Sequence, residues 1–449
     1  MTDNAAAIGS GKGGGGPQRW ILVGLAAGLV LGLIAHLLTG ESGPFPGARE
    51  ALETAIAQVI HPIGGIFLRL LFMTVIPLVF SSLALGVQEF GDVRRLGRVG
   101  LRTLLFTLFL SSVSVAIGLV LVNAIEPGKR MDAEARTSLL ARGKADATKI
   151  VQTAEESSGR PLLERIVNGV IPRNPVEAAT RAFDGDMLAV MCFALLFGVA
   201  LGALRSARTA PVVAVLEGIF DASIWLVGLA LRLAPIGVAA LVFSLAARLG
   251  LNLFEVLGAY VLTVLLGLAI QQFGVYPLLL KTVCGWSPLA FFRRIRPVMI
   301  TAFSTSSSNA TLPTTLEVAR TGLGIPSRIG NFVLTLGSTF NQNGTALFEG
   351  VTVIFLAQCY GIELGLEKQL QVVGMSIAAG IGTAGVPGGS LPLVVLVLVS
   401  VGVPGEAIGI IIGVDRLLDM CRTVLNVTGD MVAAAFVARG EAGEAPAPD

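Results

Sequence analysis

Long apolar runs, rather than alternating apolar and polar faces, set the pattern of this chain. Trp20 to Leu38 contains no Asp, Glu, Lys or Arg. It is long enough to cross a hydrocarbon core of roughly 30 Å. It exceeds the apolar region of a secretion signal and no A-x-A site follows, so it reads as a first span. Further apolar segments occupy about 62–88, 102–125, 187–204, 211–247, 253–280, 329–360 and 406–438. Two others, about 297–322 and 369–403, are apolar but interrupted by small residues and proline.

The short loops supply an orientation. Arg94, Arg95, Arg98 and Arg102 crowd one loop, Arg205 and Arg208 a second, and Lys281, Arg293, Arg294 and Arg296 a third. Basic loops mark the cytoplasmic face. These three share a face only if each interrupted segment enters and leaves on the same side. The predicted fold is therefore an all-α polytopic membrane protein with eight transmembrane helices, two re-entrant helical hairpins and both termini cytoplasmic.

Composition sharpens this picture. Of 449 residues 53% are hydrophobic and 14% charged, against about 25% charged in a soluble domain. The net charge of +2 leaves no electrostatic footprint for nucleic acid. Twenty of the 62 charges fall in the 61 residues from Glu126 to Asp186, which predicts a long external insertion at 127–186. The Gly-rich residues 1–19 and the stretch 441–449 read as tails. Four cysteines (Cys192, Cys284, Cys359, Cys421) and two histidines (His36, His61) are scattered and form no metal-ligand pattern. No nucleotide-binding or nucleophile motif occurs in a usable context, which argues against an enzyme or an ATP-driven pump. No cofactor is expected.

The chemistry lies in the interrupted segments and the last span. The first hairpin holds Ser304-Thr-Ser-Ser-Ser-Asn-Ala-Thr-Leu-Pro313 and the second Gly380-Ile-Gly-Thr-Ala-Gly-Val-Pro-Gly-Gly-Ser-Leu-Pro392. Hydroxyl runs compete for helix hydrogen bonds, and Pro-Gly pairs break the helix outright. Close helix packing also uses Gly and Ser, but a Pro-Gly pair and a second proline in one apolar stretch fit that poorly. Broken backbone at membrane depth survives only when buried in protein or lining a cavity. About 33 residues after each hairpin comes a polar cluster, Asn341–Thr345 after Ser308 and Asp419 after Val386. This internal repetition points to a transporter built from inverted repeats.

In the last span Asp415, Asp419, Arg422, Thr423, Asn426 and Asp430 fall within an arc of about 100° at helical spacing. Intramembrane charges are functional candidates by default. Arg422 offers a planar fork for a carboxylate, Asp419 can receive an ammonium group, and Asn426 can donate to a second carboxylate. Together they describe an acidic amino acid. Asp430, Asn426 and carbonyls freed by the broken backbone are oxygen ligands of the kind a hard monovalent cation prefers.

These motifs, with Ser306–Pro313, Asn341–Thr345, Gly382–Gly388 and Asp415–Asp430, resemble the dicarboxylate/amino acid:cation symporter family, which includes the glutamate transporters. The similarity runs from about residue 20 to 440. The resemblance implies a homotrimer and an elevator-type transporter in the plasma (inner) membrane. The scaffold would be 20–95 and 187–250. The moving unit would be 96–126 and 251–440, with the second hairpin as the extracellular gate. It further implies substrate contacts from Ser307, Ser308, Thr345, Val386, Gly388, Asp419, Arg422, Thr423 and Asn426. Sodium would be held by Asn341, Thr383, Asn426 and Asp430, partly through backbone carbonyls. Glu349 matches a carboxylate that serves proton coupling in the animal glutamate transporters, and a buried carboxyl is suited to proton exchange; a structurally hydrogen-bonded Glu is the alternative.

The chain also departs from the family pattern. Sodium-binding members usually carry Asp at the position of Asn343, and Tyr and Thr at those of Thr107 and Leu110, so one cation site is expected to be dismantled. The extra arginine that some members place at Ser306 or Cys421 is missing. The expectation is a symporter importing glutamate or aspartate with a proton and/or sodium. The alternatives are a C4-dicarboxylate:cation symporter and, in another class, an anion-conducting channel. Asp419 argues against a dicarboxylate, which has no ammonium group to meet it.

Overall fold

The computed structural model describes residues 17–39, 43–90, 93–130, 137, 147–148, 150–152, 171–182, 187–204, 206–249, 252–382, 385 and 388–440. Most of the expected insertion, the C-terminal tail, Thr383 and Val386 lie outside the described residues. All regular structure among the described residues is helical.

The helices, in order, are α1 (Pro17–Thr39), α2 (Arg49–Ala55), α3 (His61–Phe90), α4 (Val93–Ile125), α5 (Pro175–Thr180), α6 (Met187–Leu204), α7 (Ala210–Leu249) and α8 (Asn252–Ile270). They continue with α9 (Tyr276–Leu279), α10 (Pro288–Thr305), α11 (Ser308–Thr321), α12 (Ser327–Phe340), α13 (Asn343–Cys359), α14 (Leu366–Gly382), α15 (Leu391–Ser400) and α16 (Ile412–Gly440). Helix α1 begins at Pro17, inside the expected tail, because proline's fixed φ and missing N–H suit a first helical position. The second apolar segment starts earlier than its hydropathy suggests. A π-helical turn at Ile56–Ile60 joins α2 to α3. Similar π turns at Gln271–Val275 and Leu280–Cys284 flank α9, and Gly285 at φ 71° ends that run.

Five stretches among the described residues are long and apolar enough to cross a membrane: Pro46–Glu89, Leu96–Arg130, Ala210–Ser244, Leu257–Cys284 and Ile412–Gly440. Val23–Thr39, Ala189–Leu204 and Leu391–Ser400 are shorter apolar helices. The apolar segment 329–360 is not one helix. It breaks at Asn341–Gln342, between α12 and α13.

The chain divides into two compact units, residues 1–78 with 218–252, and 79–217 with 253–449. In the first, α1 lays Gly24, Gly28 and Gly32 against Pro235, Ala239 and Phe243 of α7. Small residues at this four-residue spacing let two backbones approach without a side chain between them. Arg49 closes the end of that pair by donating to the Ala247 carbonyl at 3.0 Å.

The second unit contains the site. Helix α13 is buried from Asn343 to Ala357 and packs along α4 and against α16. Helix α16 in turn packs on α10, α12 and α11. Helices α10 and α11 form one helical hairpin, broken at Ser306–Ser307; α14 and α15 form another. The polar arc of α16 therefore faces protein on every side: Asp415, Asp419, Arg422, Thr423, Asn426 and Asp430 are all buried.

Candidate functional site

A small cavity of about 10 Å³, room for roughly one water, sits where the two hairpins meet α16 and the α12–α13 break. The first hairpin lines it with Ser306 and Ser308, and the second with Gly385 and Ser390. Gln342 and Thr345 come from the break, and Asp419, Arg422, Thr423 and Asn426 from α16. Six of the expected substrate residues thus converge: Ser308, Thr345, Asp419, Arg422, Thr423 and Asn426.

Ser307 does not line this cavity. Ser306 adopts the left-handed conformation (φ 51°, ψ 33°), which ends α10 and turns the next side chain away. Ser307 then caps α11 by accepting from the Ala310 amide at 3.1 Å, and donates to the Gly385 carbonyl at 2.5 Å. The Asn309 amide donates to the same carbonyl at 3.3 Å. Ser307 thus ties one hairpin tip to the other. The hydroxyls of Ser306 and Ser390, both buried and both at the cavity, have no hydrogen-bond partner among the described residues. Buried polar groups without partners are rare and call for a ligand or a strain argument.

Arg422 is the charge at the centre. Its Nε donates to Asp419 Oδ1 at 2.9 Å and its Nη1 to Asp415 Oδ1 at 3.1 Å. Its guanidinium carbon lies 4.1 Å from the centroid of the Phe348 ring. The side chain is 2% exposed, and a guanidinium so deeply buried is tolerable only with carboxylates and a ring face around it. Asp419 Oδ2 also accepts the Gly388 amide at 3.1 Å, which joins the second hairpin to α16. Thr423 donates to its own helix at the Asp419 carbonyl, 2.7 Å away.

Asn426 does structural work the sequence did not announce. Its Oδ1 accepts from the Gly344 amide at 2.6 Å and the Thr345 amide at 3.4 Å. These are orphan donors in the first turn of α13, whose own N-cap residue, Gln342, makes no side-chain cap. A side chain on a neighbouring helix thus caps α13. Gln342, which lies in the polar cluster Asn341–Thr345 but was given no role from the sequence, completes this wall.

Two of the expected cation ligands, Asn341 and Asp430, meet in a second cluster; Asn426 belongs to the wall just described, and Thr383 lies outside the described residues. Asn341 Nδ2 donates to Asp430 Oδ1 at 2.9 Å, while Asn341 Oδ1 has no partner among the described residues. Helix α12 approaches closely here because Gly337 has no side chain: a Cβ would lie 2.5 Å from Asp430 Oδ1. Asn343 uses both ends of its amide. It accepts from Ser111 Oγ at 2.8 Å and donates to the Tyr276 hydroxyl at 3.1 Å. Thr107 and Leu110 are buried on the same helix as Ser111.

Glu349 is fully buried in α13, within electrostatic reach of Arg422, and neither of its carboxyl oxygens has a hydrogen-bond partner among the described residues. A structurally hydrogen-bonded role is therefore not what this geometry displays. Nearby, the Tyr260 hydroxyl and Thr352 Oγ1 are hydrogen-bonded at 2.8 Å, and the Tyr260 ring stacks on Phe355.

Comparison with known proteins bears on these residues. A profile described as the sodium:dicarboxylate symporter family matches residues 18–440. The chain is 34% identical over 421 residues to a proton/sodium-glutamate symport protein of Bacillus subtilis (strain 168), covering 94% of this chain and 92% of that one. It is 32% identical over 424 residues to a proton/glutamate-aspartate symporter of Escherichia coli (strain K12), covering 94% and 92%. It is 31% identical over 451 residues to excitatory amino acid transporter 3 of Oryctolagus cuniculus, covering 92% and 84%. A match over nearly the whole chain, joined to helices apolar enough to span a bilayer, identifies a multi-pass membrane protein: the chain belongs to the sodium:dicarboxylate symporter family.

Proposed function

We propose that this protein is a secondary symporter that imports glutamate or aspartate together with a cation. The observation that carries this reading is the buried Arg422 beside Asp419 at a cavity walled by both hairpins. Arg422 would take the ligand's side-chain carboxylate, Asp419 its ammonium group, and Thr423 with Asn426 its main-chain carboxylate. Ser308, Thr345, Gly388 and Val386 would add contacts from the hairpins and the break. The unpartnered hydroxyls of Ser306 and Ser390 extend this set. The cavity is too small for an amino acid, so entry requires the second hairpin to move away from Ser307 and Asp419.

Sodium would be bound by Asp430, Asn341, Asn426 and Thr383. The engaged amide of Asn343 offers no charge to a further ion, which favours fewer sodium ions and a role for Glu349 in carrying a proton. The wider reading is eight spans with two re-entrant hairpins, both termini cytoplasmic, a homotrimer in the inner membrane, and elevator movement of spans three, six, seven and eight with the hairpins.

The test is uptake into proteoliposomes of aspartate, glutamate, succinate and serine under separately imposed sodium and proton gradients. Acidic amino acid uptake driven by at least one gradient is expected; uptake of succinate alone would overturn the substrate. Glu349→Gln should flatten the pH dependence of transport while leaving ligand affinity at fixed pH within about threefold, as a proton-carrying rather than ligand-binding role requires. An unchanged pH profile would remove Glu349 from coupling.

A further inference from the structure

We infer that Gln342 is an affinity-setting residue of the ligand site: its amide oxygen occupies the donors that would otherwise receive a ligand carboxylate. The inference rests on the reading above, in which Asn426 and Thr345 meet the ligand. It concerns a residue that none of those roles includes.

Gln342 sits at the α12–α13 break with non-helical backbone (φ −98°, ψ 55°), so it belongs to neither helix face. Its Nε2 donates to the Ser338 carbonyl at 2.9 Å. That bond sets the plane of the amide and aims Oε1 at the cavity wall. There Oε1 accepts from Asn426 Nδ2 at 2.5 Å and from Thr345 Oγ1 at 3.3 Å. Asn426 Nδ2 has two hydrogens, and the second goes to Thr345 Oγ1 at 3.1 Å. The Thr345 hydroxyl has one hydrogen, directed to Gln342. Both donors on this wall are therefore satisfied internally by one neutral oxygen.

A ligand carboxylate has the same planar acceptor geometry with a charge added, so it makes the stronger bond to the same donors. It gains only the difference between itself and Gln342. The amide thus keeps two buried donors satisfied and correctly aimed, and lowers the affinity of whatever replaces it. The two outcomes of removing it are opposite in sign. A residue that contacts the ligand weakens binding when lost; one that competes with the ligand strengthens it.

The experiment is calorimetric titration of the purified full chain with L-aspartate and L-glutamate at fixed pH and sodium, comparing wild type, Gln342→Met and Gln342→Glu. Met preserves the length of the side chain and removes the acceptor. It should tighten binding by about fivefold, the scale of one hydrogen bond. Glu keeps the acceptor and charges it, and should weaken binding by about tenfold or more. Both variants lose the bond to the Ser338 carbonyl, and damage to folding cannot tighten binding, so the Gln342→Met result separates competition from structural loss. Equal or weaker binding by Gln342→Met, or unweakened binding by Gln342→Glu, would overturn the inference. Failure of the wild type to bind either amino acid would instead overturn the functional reading.

Discussion

The two helical hairpins reach the same cavity by different means. In the first, α10 and α11 are separated by only Ser306 and Ser307, and the tip is organised by side chains. Ser307 caps α11, while Thr305 Oγ1 takes part in bonds to the Ser307 backbone and the Thr311 hydroxyl. In the second, more residues separate α14 from α15, and among the described residues the tip's hydrogen bonds to the rest of the site come from backbone: the Gly385 carbonyl and the Gly388 amide. Gly388 lies at φ 73°, a conformation that costs an L-residue roughly 1–2 kcal/mol. A tip held by its own side-chain caps is stable alone. One held by backbone bonds to Ser307 and Asp419 depends on partners, and so is the one that can be released.

The largest expected effect tests whether both tips serve one site. Arg422→Cys should abolish measurable binding of aspartate and glutamate, a loss of about 100-fold or more, because truncating one partner of a buried, hydrogen-bonded charge pair costs about 2–5 kcal/mol of binding. The first tip, which keeps its own caps, should be unaltered. Retained affinity in direct titration would detach the cavity from acidic ligands and make the hairpin comparison one of packing alone.

A smaller effect separates the tips. At Gly385 a Cβ would lie 2.7 Å from the Ser338 carbonyl oxygen and 3.1 Å from Asn309 Nδ2. Gly385→Ala must push the second tip away from the first, at about 1–3 kcal/mol by analogy with overpacked cores. The expected result is faster proteolysis or cysteine labelling of the second hairpin and weaker ligand binding, with the first hairpin's protection unchanged. Equal loosening of both hairpins would show that the first tip is not self-supporting.

The same contrast explains what could be read in the chain. The hairpin breaks, several of the apolar helices and the arc of α16 were legible because they depend on local features: Pro and Gly positions, apolar length, and helical spacing of polar residues. What stayed hidden depends on tertiary approach. Gln342 and Asn426 meet across 84 positions, and nothing local says that α13 will be capped from another helix. Which of Ser306, Ser307 and Ser308 faces the cavity turns on one left-handed residue. The start of the second span was missed because a π turn carries the helix past the point where hydropathy rises.

The smallest effect converts the first tip partway towards the second. Ser306 holds φ 51° without being glycine, and its buried hydroxyl has no partner among the described residues. Both facts are unfavourable to the fold alone. In Ser306→Gly the strain is relieved, the unpartnered hydroxyl disappears, and glycine's greater freedom in the unfolded chain returns about 0.5–1 kcal/mol of that gain. Thermal stability should therefore stay level or rise slightly. If the hydroxyl donates to a ligand, affinity for aspartate and glutamate should fall about threefold to tenfold, the range for one hydrogen bond. A rise in stability with unchanged affinity would show that Ser306 only shapes the turn. A fall in both would show that its conformation is held by contacts that glycine fails to restore, and that the first tip is less independent than its caps suggest.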